Sequence, residues 1–211
     1  MDNWIFKYHE AIQKKEVIVG VWVRLCFEIL TTGLLNGEWE FNEKKANKAI
    51  KFIENFCHHS EGRSDLLHLE LWQKAIVSAI FGIMDKTTGY RQFREVFIIV
   101  ARKNGKTLFA AAIAAYMTYV DGEYGAKVYF LAPKLDQADL VYDAFYQIVQ
   151  SDDELDSITK KRRSDIYIKA FNTSVKKIAF NSKKSDGFNP QLVVNDEIGR
   201  ASCRERVSLH G

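Results

Sequence analysis

Two short clusters hold the residues best suited to chemistry. The first is Arg102-Lys103-Asn104-Gly105-Lys106-Thr107, set between the apolar run Ile98-Ile99-Val100 and a long apolar stretch ending at Val120. A glycine followed by lysine and a hydroxyl residue, at the point where a strand turns into a helix, suits a phosphate group. Gly105 lets the backbone approach closely, and the helix start offers unpaired N–H groups and the positive end of its dipole. Lys106 brings a point charge to the β- and γ-phosphates, and the Thr107 hydroxyl is a ligand for Mg²⁺. The second cluster is Asn195-Asp196-Glu197, which ends the apolar run Leu192-Val193-Val194 in the manner of a Walker B strand. Asp196 suits a metal ion held through water, and Glu197 suits polarising an attacking water molecule. Taken singly, each cluster also fits a blander role: Gly-Lys-Thr occurs in ordinary surface turns, and paired acids after apolar residues are common. Two such clusters about 90 residues apart in one sheet describe a nucleoside triphosphate site. The full pattern G-x-x-x-x-G-K-S/T is not met, because Val100 stands where its first glycine belongs.

The elements that must position these clusters read as helices first and alternating strands and helices afterwards. Ile5, Tyr8, His9 and Ile12 recur on one helical face, and a second amphipathic run covers Val17 to Leu34, with Gly33 and Asn36-Gly37 as its breakers. Asn42 is placed to cap a third helix in which Ala46, Ala49, Ile50, Ile53 and Phe56 share a side. Glu61 to Asp65 reads as a polar hinge, and Leu69 to Met84 as a further helix. Strands are expected at Glu95 to Val100, Ala126 to Ala132 and Gln191 to Val194, with helices to Val120 and from about Leu135 to Val149. Asp165 to Phe171 and Val175 to Phe180 read as a hairpin around Asn172-Thr173-Ser174. Strand–loop–helix alternation implies an α/β fold with a mostly parallel sheet and helices on both faces, preceded by an N-terminal helical segment.

Composition sets the outer bounds. The chain has 211 residues, 47% hydrophobic and 27% charged, enough apolar material for a real core. Three scattered cysteines give no disulfide framework, and the N-terminus has no basic region followed by an apolar stretch. The longest uncharged run, Thr107 to Val120, is too short to cross a bilayer. The net charge is +3, but Ile198 to Gly211 carries three arginines against one glutamate, so bulk charge does not argue for a nucleic-acid partner. That last segment has neither apolar period nor turn logic and resembles the translation of adapter sequence. The expected organisation is a helical segment at 1–62, a P-loop NTPase core at 63–197 that stops before its sheet is complete, and a non-native tail at 198–211.

A family resemblance joins these pieces. Leu71-Trp72-Gln73, the run Arg102 to Thr107, Gly122-Glu123 before the Ala126 strand, Gln137-Ala138, and Gly187-Phe188-Asn189-Pro190 before the Asp-Glu strand resemble the large terminase subunit of tailed bacteriophages. The resemblance implies an ATPase of the additional-strand P-loop class that hydrolyses ATP with Mg²⁺ to drive viral DNA into a procapsid. It implies that Arg102 opens a deviant Walker A motif and contacts the γ-phosphate, so that Val100 need not be glycine. It also places Gln73 in the adenine-recognising position. The implied phosphate contacts run through Arg102, Lys103, Asn104, Gly105, Lys106 and Thr107; the catalytic residues are Arg102, Lys106 and Glu197; the metal is held by Thr107 and, through water, Asp196. Double-stranded viral DNA, the portal and the small terminase subunit are the implied partners, with a homo-oligomer at full length, no membrane, and the host cytoplasm as the location. No acidic cluster for a nuclease is present. A helicase-like translocase and a nucleotide-binding module without turnover are the other readings of the same residues.

Several motifs have plainer readings. Lys44, Lys45, Lys48 and Lys51 fit a solvated helix face better than a DNA contact. Arg162 and Arg163, beside Lys160 and Lys161, fit a basic loop better than a catalytic finger. Trp72 suits core packing at least as well as a base contact. Cys57-His58-His59 lacks a partner pair at metal-ligand spacing.

Overall fold

The computed structural model describes residues 3–59, 62–101, 103–179, 190–195 and 205–209, the last of these as backbone path only. The chain divides into two compact units, one formed by residues 1–54 with 68–93 and the other by residues 55–67 with 94–211.

The first unit is helical. Helix α1 (Trp4–Gln13) starts at Asn3, whose side chain accepts from the Ile5 N–H at 3.0 Å. It buries Ile5, Tyr8 and Ile12, as the period requires, while His9 stays half-buried. Helix α2 (Val21–Leu35) ends at Asn36, followed by Gly37 at φ +71°. Gly33 does not break it. Gly33 is buried inside the helix, where a Cβ would sit 2.6 Å from the Trp39 ring, so glycine is there for close approach. Trp39 meets Phe93 edge-on at 5.6 Å, which leaves the indole little room to yield. Gly33→Ala is therefore expected to destabilise this unit by about 1–3 kcal/mol through overpacking, seen as a lower urea midpoint at unchanged slope.

A two-residue strand β1 (Glu40–Phe41) leads into α3 (Glu43–Phe56), where the Asn42 side chain accepts from the Lys45 N–H at 3.0 Å, the cap its type and position call for. Helix α4 (Leu71–Gly82) runs into β2 (Ile83–Met84), which pairs antiparallel with β1. Helix α4 thus belongs with the N-terminal helices and not with the sheet that follows. Ile5, Tyr8, Ile12, Phe27, Leu30 and Ala75 form the centre of this unit's core.

The second unit is an α/β fold with a mixed sheet. Strand β3 (Glu95–Ile98) precedes α5 (Lys106–Tyr119), and β4 (Lys127–Ala132) precedes α6 (Leu135–Gln150). A short helix α7 (Asp153–Ser157) and strand β5 (Thr159–Lys161) follow, then β6 (Ile166–Ile168), β7 (Thr173–Ala179), β8 (Leu192–Asn195) and β9 (Glu205–Leu209). The strand order is β3-β9-β8-β4-β7-β6-β5. Parallel pairing is confined to the centre, β8 with β4 and β4 with β7; every other neighbouring pair is antiparallel. The expected hairpin is present as β6 and β7, joined through a 3₁₀ turn at Lys169–Phe171 with Asn172 at φ +52°. Its second strand begins at Thr173, inside the stretch expected to be turn. Strand β5 and helix α7 occupy a stretch that shows no clear period in the sequence.

The parallel centre is buried because helices cover it. Both crossovers, β3 to β4 and β4 to β7, move the same way along the sheet, so right-handed connections bring α5 and α6 to one face, where they pack on each other. Helix α5 is buried from Phe109 to Tyr119 without a polar side, which is the pattern of a helix enclosed all round. Phe130 of β4 meets Tyr142 edge-on at 6.2 Å and Phe145 at 5.8 Å, and Phe145 stacks on Tyr119 at 6.4 Å. These contacts lock α5, α6 and β4 together. The Tyr119 hydroxyl finds Thr159 Oγ1 at 2.6 Å, so α5 also fixes the start of β5. Burial, with the nearby Asp165, Asp143 and Asp139 charges, pushes the Tyr142 hydroxyl up to about 12.

Candidate functional site

Strand β3 ends at Ile98, and α5 begins at Lys106. In the connecting loop Ile99, Ala101 and Lys103 to Gly105 are exposed, while Val100, Lys106 and Thr107 are half-buried. Gly105 takes the left-handed conformation at φ +68° as the residue before the helix, a position that favours glycine. Lys103 is also left-handed, at φ +66°, and Asn104 between them is not. Alternation of this kind turns successive N–H groups toward one side and forms an anion-binding concavity. The Asn104 amide donates to the Ala101 carbonyl at 3.1 Å, which braces the loop from within.

The start of α5 carries no side-chain cap and no acidic residue in its first turn. Its leading N–H groups lie ahead of the intrahelical ladder, the N-cap glycine has no side chain to cap them, and no acid of that turn repels a negative group. By contrast, α1 and α7 are each capped by a side-chain oxygen, from Asn3 and Asp152. Such an uncapped, glycine-led helix start fits the phosphates of a nucleotide, with Lys106 and Thr107 at the first two helical positions.

The second cluster enters from β8. Strand β3 runs antiparallel to β9, and β9 antiparallel to β8, so β3 and β8 point the same way. Ile98 is opposite Glu205 and Asn195 is opposite Arg206, which sets the C-terminal ends of both strands level. One strand separates them, a span of about 10 Å at ordinary strand spacing. Strands β3 and β8 thus end at the same edge of the sheet, one strand apart. Gln191 anchors the start of β8: its N–H donates to the Lys127 carbonyl and its side-chain amide to the Asp121 carbonyl at 3.2 Å. Arg102, Asp196 and Glu197 lie outside the described residues.

Gln73 lies in the helical unit, on α4. It is buried, its Oε1 accepts from the Glu70 N–H at 2.8 Å, and the Glu70 side chain caps the Gln73 backbone in return. Trp72 beside it packs against the core around Ile5 and Tyr8, the plainer of its two readings.

Other singled-out motifs resolve into structural roles. Cys57 is buried, and burial with the Asp152 charge pushes its thiol up to about 12, which keeps it protonated. His58 bridges to Leu66, and the His59 ring contacts Arg63 at 2.6 Å. Among the described residues no group of three or more His, Cys, Asp or Glu side chains is placed to hold a metal. Arg162 lies over the Tyr167 ring at 3.5 Å, and Lys160 and Lys161 lie on edge strand β5 rather than in a loop. Lys44, Lys45, Lys48 and Lys51 lie along α3, mostly exposed, as a solvated face requires. Among the described residues no helix is long and apolar enough to cross a membrane.

The left-handed Lys103 escapes sequence reasoning because nothing in a lysine signals φ above zero. The stretch 205–209 escapes it for a different reason. Two strands running the same way leave backbone donors and acceptors facing one slot, and a short segment pairs there whatever its side-chain pattern.

No curated protein matches the chain. The crystal structure of the HK97 bacteriophage large terminase is similar in fold, with a TM-score of 0.59 at 24% identity. The similarity covers 72% of this chain and 31% of that one, so this chain spans under a third of the length of that terminase. The family model described as "Terminase large subunit, ATPase domain" matches residues 71–209, from the start of α4 through β9. Matched over more than half its length, this chain belongs to the ATPase-domain family of terminase large subunits.

Proposed function

We propose that the chain is the P-loop ATPase part of a phage DNA-packaging motor, binding ATP at residues 102–107 and hydrolysing it with Asp196 and Glu197. The observation that carries this reading is the level, one-strand-apart arrangement of the ends of β3 and β8. It supports a nucleotide seated on the start of α5 with acids approaching from the neighbouring strand. In this reading the N–H groups at the start of α5 and the concavity at Lys103 to Gly105 hold the phosphates. Lys106 draws charge from the β/γ oxygens, and Arg102 adds a second cation at the γ-phosphoryl. Glu197 accepts the proton of the attacking water. Thr107 and Asp196, the latter through water, are the residues suited to hold Mg²⁺, which when bound neutralises phosphate charge. Gln73 is the proposed adenine contact.

Double-stranded DNA, the portal, the small subunit and further copies of the chain are the partners this role requires, in the host cytoplasm. The nucleotide part is tested by titrating the 211-residue chain with a fluorescent ATP analogue, with and without Mg²⁺, while following phosphate release. Saturable binding displaced by ATP, with Mg²⁺-dependent release, is expected. Binding without release would favour a nucleotide module lacking turnover, and no binding at all would reject the site.

A further inference from the structure

The sheet of the second unit has two unequal faces. Helices α5 and α6 lie on one, and Val128, Val175 and Ile166, which are register neighbours on that side, are fully buried. The residues one position along each strand point the other way. Register sets four of them in a row: Lys160 of β5 is opposite Tyr167 of β6, Tyr167 opposite Ser174 of β7, and Ser174 opposite Lys127 of β4. Both lysines are exposed, and Tyr167 and Ser174 are half-buried. Three strand spacings, about 14 Å, separate the two lysines. Lys127 is the first residue of β4, which runs parallel to β8, so the row lies toward the edge of the sheet away from the end of β8.

Tyr167 is held as a fixed platform. Its hydroxyl donates to Asn172 Oδ1 at 2.9 Å, and the Arg162 guanidinium lies over its ring, 3.5 Å from the centroid. Charge is sorted around it. Lys160 to Arg163 are all exposed, whereas Asp165, the acid of the same hairpin, is buried. The acids just ahead of β5, Asp153, Glu154 and Asp156, lie on α7. Thr159, which points opposite to Lys160, donates to the Leu155 carbonyl at 2.7 Å and so ties α7 to the helix-covered side. A net charge of only +3 thus conceals a locally basic face.

A planar ring braced between cations on an open sheet face suits a strand of unpaired nucleotides. Bases stack on the ring or on the guanidinium that extends it, and phosphates meet the lysines on either side. A duplex keeps the flat faces of its bases inside its own stack, so it engages the lysines and leaves the tyrosine unused. An acidic peptide likewise answers the lysines but not the stack. We infer that this face is a binding surface for single-stranded nucleic acid, on which Arg162 and Tyr167 stack a base and Lys127 and Lys160 hold the flanking phosphates. The surface is separate from the nucleotide site proposed above and does not rest on it.

Fluorescence anisotropy on the 211-residue chain without ATP tests this, with far-UV circular dichroism as the folding control for every variant. The probes are a labelled oligothymidylate of about 20 nucleotides, longer than one such site, the oligouridylate of equal length, and the matching DNA duplex. Saturable binding of a single strand, tighter than that of the duplex, is expected. A preference for the DNA or the RNA strand supports the surface either way and identifies its source. Tyr167→Ala is expected to weaken single-strand binding about tenfold and to leave duplex binding unchanged, whereas Tyr167→Phe keeps the ring and the affinity. Lys127→Ala and Lys160→Ala are each expected to lower the slope of log affinity against log salt by about 0.7. If Tyr167→Ala fails the folding control, these two exposed positions decide the matter. A duplex bound as tightly as either single strand would overturn the proposal and leave a phosphate patch. Single-strand affinity and salt slope indifferent to both lysine substitutions, or no binding at all, would overturn it as well.

Discussion

Replacing Lys106 with alanine is expected to lower ATP turnover by about a thousandfold and to weaken nucleotide binding, while the circular dichroism spectrum stays unchanged. The size follows from where the lysine is. It is the first residue of α5, adjacent to the left-handed Gly105, at a helix start with no side-chain cap. In the proposed site a cation there works on phosphate oxygens together with the N–H groups of the first turn, and removing one such preorganised charge typically costs about a hundred- to a thousandfold. Folding is insulated from the change. The residues that fix α5 in place run from Phe109 to Tyr119, all buried, and alanine is the better helix former. Phosphate release and fluorescent-nucleotide binding, measured on the same preparation, check it. Unchanged turnover would remove Lys106 from the site and with it the phosphate-loop reading.

Glu197→Gln is expected to behave differently: turnover falls by about a hundred- to ten-thousandfold, the range for loss of a positioned general base, while ATP binding persists. Glutamine keeps the shape and hydrogen-bonding reach of glutamate but cannot take up a proton from water. The two variants therefore separate the two functions proposed for the clusters, phosphate binding and activation of water. If Glu197→Gln also lost nucleotide binding, the acid would belong to the metal- and phosphate-holding set alongside Asp196, and the base would have to be sought elsewhere.

Whether a feature of this fold is legible in the amino-acid order depends on whether its cause is local. The passage from Ile98 to the buried run Phe109–Tyr119 is local, and so is the Asn42 cap; both follow from residue types and spacing and both appear where expected. The terminase resemblance is likewise carried by short motifs along the chain, and the family match over residues 71–209 bears it out. Gly33 shows the limit. Read along the chain, a glycine near the end of an apolar run is a breaker; in the fold it is the one residue thin enough to sit under the Trp39 ring. The mostly parallel sheet is another case. Apolar strands separated by helices imply parallel pairing, and β8, β4 and β7 obey, but the edges turn antiparallel because hairpin and tail segments pair wherever a free ladder is offered.

The residue chemistry of the proposed site, its glycine, lysine, threonine and acids, is written in the amino-acid order alone, because a helix start and a strand tip need only neighbours a few positions away. What the tertiary structure decided is that the strands leading to both clusters run the same way and end level, one strand apart. Strand direction and register depend on backbone groups far away in the chain finding one another, and side-chain pattern does not encode which strand becomes whose neighbour.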